Sequence, residues 1–137
     1  MWWTYALLSA VFAALTAVLA KVGIKGVNSD LATAIRTVVI LVVAWGIVFA
    51  RDSATDFNAL TPRNWLFLVL SGMATGLSWI FYFKALQLGK VSQVAPVDKL
   101  SVAIAIVLSV LFLGETLTLK AALGAALIIG GTLVLIL

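Results

Sequence analysis

The chain has 137 residues, of which 64% are hydrophobic and only 10% charged, with a net charge of +4. Soluble domains average roughly half apolar and about a quarter charged residues, and a chain this small has too much surface for its volume to hide the excess. A water-soluble fold is excluded, and a bilayer is the solvent this composition fits. Histidine and cysteine are absent, which removes disulfides, thiol chemistry and histidine-based metal sites. The basic residues are scattered and form no polybasic run for nucleic acid or anionic lipid.

A spanning helix needs about 20 mostly apolar residues. The first stretch of that kind covers residues 3–22. It is preceded by Met1-Trp2 with no Lys or Arg, unlike a cleaved signal peptide with its positive flank, so it is expected to remain as a span. Further spans are expected over 31–50, 65–86, 94–113 and 119–137, which makes an all-α membrane bundle of five helices in one domain, 1–137. The gaps carry turn chemistry: Gly23, Gly26, Asn28, Ser29 and Asp30; then Asp52, Ser53, Asp56, Asn58 and Pro62; then Gly89, Lys90, Ser92 and Gln93; then Gly114, Glu115, Thr116 and Thr118. Pro62 suits a helix start. Glu115 is expected to favour the positive end of the last helix. No gap holds a soluble domain. Trp2, Trp3, Trp45 and Trp65 group toward one side, as interfacial aromatic rings do.

The third span is the most informative. Ser71, Thr75, Ser78 and Tyr82 are spaced four, three and four, one narrow polar stripe at 100° per residue. Gly72 and Gly76 lie beside it and Trp79 borders it. The stripe reads equally as a helix-packing face and as the wall of a solute pathway. The first span repeats the pattern faintly with Ser9 and Thr16. The fourth places Asp98 and Ser101 on one face, with Lys99 about 100° around. Span five carries Gly124 and Gly131, a candidate close-packing or dimer surface.

Arg36, Lys84, Asp98 and Lys99 lie inside or near the ends of spans, where an isolated charge costs at least ~2.5–3.5 kcal/mol near the bilayer centre and less near the interface. Snorkelling is the simpler account of Arg36 and Lys84. Asp98 is too short to snorkel far and is a candidate pathway residue. No nucleophile with a base and an orienting partner is present, so enzymatic activity, metals and cofactors are not expected.

The succession of Ala85-Leu86, Gly89, Ser92 and Val94-Ala95-Pro96, then Leu113-Gly114-Glu115 and Leu117-Thr118, then Gly124 to Gly131, resembles the EamA family of the drug/metabolite transporter superfamily. Phe83-Lys84-Ala85-Leu86-Gln87-Leu88-Gly89-Lys90-Val91-Ser92-Gln93-Val94-Ala95-Pro96 is similar to its "AL…G…S.VAP" stretch. Leu113-Gly114-Glu115-Thr116-Leu117-Thr118 is similar to its "LGE.LT" turn, and the helix from Gly124 to Gly131 to its glycine-bearing last helix. Residues 31–38, with Arg36, resemble the arginine-bearing start of its second helix. The resemblance implies one five-helix repeat of a fold that many members build from two inverted repeats, with helices one, three and four lining a central cavity. It implies a multi-pass protein of a bacterial or archaeal inner or plasma membrane, moving a small solute by alternating access as a homodimer. The family's second helix-four proline is replaced here by Leu100-Ser101-Val102. Helix one has no acid of the kind that couples protons in the related small multidrug transporters.

Topology follows Lys and Arg in short loops. Arg51, Arg63 and Lys120 fall on the N-terminal side, against Lys21, Lys25, Lys84 and Lys90 opposite. Three against four permits insertion both ways and an antiparallel dimer. Adding Arg36 and Lys99 makes it three against six and favours a single orientation. The rival class is a non-transporting structural or accessory subunit, in which the polar faces only pack.

Overall fold

The computed structural model describes residues 1–52, 57 and 59–137. The expected turn residues Ser53, Asp56 and Asn58 lie outside the described residues. The elements are α1 (Trp2–Gly23), α2 (Ser29–Ala50), α3 (Pro62–Leu88), α4 (Val91–Asp98), α5 (Leu100–Leu113) and α6 (Leu119–Ile136), with no strand among the described residues. With α4 and α5 taken together as Val91–Leu113, five helical segments among the described residues are long and apolar enough to cross a membrane. At 1.5 Å per residue, α3 extends about 40 Å, longer than the ~30 Å hydrocarbon layer.

The helix ends are written in local chemistry. The Asn28 side chain accepts from the backbone N–H groups of Asp30 (2.8 Å) and Leu31 (3.2 Å) and starts α2. Gly26 precedes it at φ +72°, a left-handed conformation that suits a residue without Cβ. Pro62 is the first residue of α3 as expected, and the Thr61 hydroxyl accepts from the Asn64 N–H at 3.3 Å. α5 stops at Gly114, φ +68°, where the Gly114 N–H and the Glu115 N–H (3.3 Å) both donate to the Ser109 carbonyl. Glu115 does not start α6. Thr118 does so, accepting from the Ala121 N–H at 3.2 Å, and the first turn of α6 holds no acid. A side-chain oxygen one residue before the helix reaches an orphan N–H, whereas Glu115 lies three residues further out.

The fourth span differs from the uninterrupted helix expected over 94–113. It begins at Val91 and is interrupted at Lys99. Pro96 has no N–H for the turn before it, and the Lys99 N–H is shared between the carbonyls of Ala95 (3.3 Å) and Pro96 (3.1 Å). Shared bonding of this kind tightens and ends the helical turn.

The chain divides into two compact units: Met1–Leu19 with Leu88–Leu137, and Ala20–Gln87. In the first unit the backbone of α6 approaches both α4 and α5 closely. Its buried residues are Ala17, Ala103 and Thr132, and the Thr132 hydroxyl donates to the Pro96 carbonyl at 3.2 Å. A side chain from α6 thus serves a carbonyl beside the break.

In the second unit Ala20, Ile24, Ser29, Ala32, Thr33, Phe83 and Leu86 are buried. Two long-range bonds fasten the same region. The Lys21 ammonium donates to the Leu86 carbonyl near the C-terminus of α3, and Gln87 Nε2 donates to the Val27 carbonyl at 2.7 Å. A cation at the last turn of a helix meets carbonyls that have no intrahelical donor. Where α2 runs into α3, Trp45 stacks on Phe57 at 6.4 Å and Phe57 meets Trp65 edge-on at 5.4 Å. Trp45 and Trp65 thus share one end of this unit, as an interfacial aromatic belt requires.

Candidate functional site

The α3 stripe belongs to the second unit. Ser71, Thr75 and Ser78 are exposed, and Trp79 and Tyr82 are half-buried. The Thr75 hydroxyl donates to the Ser71 carbonyl of its own helix at 2.9 Å, a bond that hydroxyls make inside helices when no other acceptor is near. Among the described residues, none of Ser71, Thr75 and Ser78 bonds to another helix. A Cβ built on Gly72 or Gly76 meets nothing within 4 Å. The stripe is therefore an exposed polar face along the middle of α3, where the other residues are apolar.

Tyr82, at the end of the stripe, meets the ring of Phe83 edge-on at 5.4 Å. Phe83 is 1% exposed, and the Arg36 guanidinium lies 4.2 Å from its ring centre. The head of Arg36 thus rests on an aromatic face. Lys84, the next residue along α3, is exposed.

The remaining candidates belong to the first unit. Asp98 and Lys99 sit at the interruption of the fourth span and pair at 3.5 Å, with side chains 36% and 57% exposed. Ser101 is exposed one turn further on. Ser9 on α1 is exposed and Thr16 half-buried. On α6, Gly124 is half-buried and Gly131 exposed, and a Cβ on either meets nothing within 4 Å. The described residues contain no group of three or more acidic side chains fit to hold a metal ion.

Thr132 escaped the sequence reading. The only available signal is a lone threonine beside Gly130-Gly131 in a helix of otherwise small and aliphatic residues, and its partner lies 36 residues earlier.

Among the described residues, five helical segments of membrane-crossing length and apolarity, without a strand, define the class as a multi-pass helical membrane protein. The model of the EamA-like transporter family matches residues 1–137, and the chain belongs to this family of membrane transporters. An "Uncharacterized transporter in cobO 3'region" from Sinorhizobium sp is 55% identical over 134 residues, covering 98% of this chain and 95% of that protein. "Uncharacterized protein MJ1333.1" from Methanocaldococcus jannaschii is 37% identical over 81 residues, covering 59% of this chain and 56% of that protein. No solved structure matches the chain significantly.

Proposed function

We propose that the transport unit is a pair of these chains in the inner or plasma membrane of a bacterium or archaeon, carrying a small organic solute by alternating access. The whole chain acts as one five-helix repeat. The observation that carries this reading is the exposed stripe of Ser71, Thr75 and Ser78 on α3. Lipid tails offer no hydrogen bonds, and of the three hydroxyls in line along this spanning helix Thr75 alone is bonded within it, to the Ser71 carbonyl at 2.9 Å. A water-filled pathway completed by a second copy serves them. Asp98, Lys99 and Ser101 at the interrupted span, and Ser9 and Thr16 on α1, are read as further pathway residues. Interrupted spans are where transporters place solute and ion sites. Gly124 and Gly131 on α6 offer the second copy a surface it can approach closely.

Purified protein in proteoliposomes is expected to take up at least one member of a panel of amino acids, nucleosides, sugars and lipophilic cations in a saturable way. Ser78→Leu, which puts an apolar branch into the stripe, is expected to reduce that uptake by at least about tenfold, equivalent to roughly 1.4 kcal/mol, with membrane insertion retained. Uptake by Ser78→Leu at the wild-type rate would remove the stripe from the pathway.

The two copies are expected to insert in opposite orientations, because the Lys and Arg at and beyond the span ends, without the deeper Arg36 and Lys99, are three against four. The chain has no native cysteine, so a single Ala59→Cys probe reports on one place. Its labelling by a membrane-impermeant maleimide from both sides of the membrane, in different copies, is the expected result. Labelling from one side in every copy ends the inverted arrangement.

A further inference from the structure

We propose that Arg36 is an oxyanion-binding residue at the end of the α3 stripe, which makes a carboxylate or phosphate group part of what this protein recognises. The inference rests on reading that stripe as the pathway wall. Arg36 lies seven residues into α2, about 10 Å along the helix axis from Ser29. Its guanidinium is stacked on Phe83, a buried ring, and Phe83 in turn contacts Tyr82, the last member of the stripe. Aromatic stacking orients a planar guanidinium and leaves its N–H fork free to face outward.

Among the described residues no carboxylate comes within ion-pair distance of Arg36, and its buried Nε has no hydrogen-bond partner. Lys21 is engaged with the Leu86 carbonyl and adds positive charge to the same unit, as does exposed Lys84 beside Phe83. An uncompensated charge in a spanning helix is costly. A guanidinium fork matches a carboxylate or phosphate through two parallel bonds, and such a group arriving from outside the chain would offset that cost. It would come from an anionic solute or from a lipid headgroup.

The test uses purified full-length protein in phospholipid-free maltoside detergent. Thermal unfolding is followed with phenylacetate or its neutral analogue phenylacetamide at constant ionic strength. Phenylacetate is expected to raise the wild-type midpoint at least about 2 °C above the phenylacetamide value. Arg36→Lys, which keeps the charge without the fork, is expected to retain part of that rise, and Arg36→Gln none. Dioleoylphosphatidylglycerol replaces phenylacetate in a second arm. An Arg36-dependent rise with this lipid alone assigns the oxyanion to a headgroup and removes the solute. A residue that only packs on Phe83 would lower the midpoint when replaced, without changing the response to either anion. That result, or a wild type indifferent to both, overturns the proposal; if Arg36→Gln does not fold, Arg36→Lys against wild type decides it. Solute uptake without any Arg36-dependent anion response defeats this inference alone. An Arg36-dependent response in a protein that moves no solute defeats the pathway reading alone.

Discussion

Phe83→Ala is expected to lower stability by about 3 kcal/mol, the lower part of the range for emptying an aromatic core site. Phe83 is 1% exposed, and Leu86, one turn on, is 0% exposed. In lipid the transfer part of the loss largely falls away, because the surroundings are as apolar as the side chain. The cavity and the forfeited packing contacts remain. The variant also strips the Arg36 guanidinium of its aromatic support at 4.2 Å. Phe81 is the internal control: it lies two residues away on the same helix and is 71% exposed. Phe81→Ala is expected to stay within about 0.5 kcal/mol of wild type. Unfolding of both variants in one detergent gives the comparison, and equal losses would mean that the buried cluster at the end of α3 is not the keystone of its unit.

Asp98→Asn is expected to cut transport at least about tenfold, roughly 1.4 kcal/mol in the rate-limiting barrier, while changing thermal stability little. The small stability effect follows from geometry. The Asp98–Lys99 pair is 3.5 Å long and both side chains are more than a third exposed, and exposed pairs are worth about 0–1 kcal/mol. The functional effect follows from position. Asp98 ends α4 and Lys99 forms the interruption before α5, so the carboxylate sits where the span is least regular. Uptake per inserted protein, measured beside unfolding of the same preparation, separates the two roles. Normal uptake with a lowered unfolding temperature would assign Asp98 to the local architecture of the break.

The spans were legible because membrane insertion is governed by local quantities. Length and hydropathy must match the bilayer thickness, and both can be read along a single stretch of chain. Pro62 at a helix start and Gly114 at a helix end are local in the same sense: one lacks an N–H, the other lacks a Cβ, and each acts within a turn of its own position. The hydroxyl stripe of α3 was visible because it needs only helical periodicity. Its neighbours were not. In lipid, inward and outward helix faces are both apolar, so periodicity does not tell a buried side from a bare one. Only the tertiary structure placed Phe83 under Arg36, joined Lys21 to Leu86 across 65 residues, and brought Thr132 to the Pro96 carbonyl. It also interrupted the fourth span at Lys99, where the sequence alone suggested one helix. At that interruption the Lys99 N–H is shared between the Ala95 and Pro96 carbonyls. Which carbonyls are then served, and by whom, depends on a side chain from another helix, and that is decided only when the helices pack.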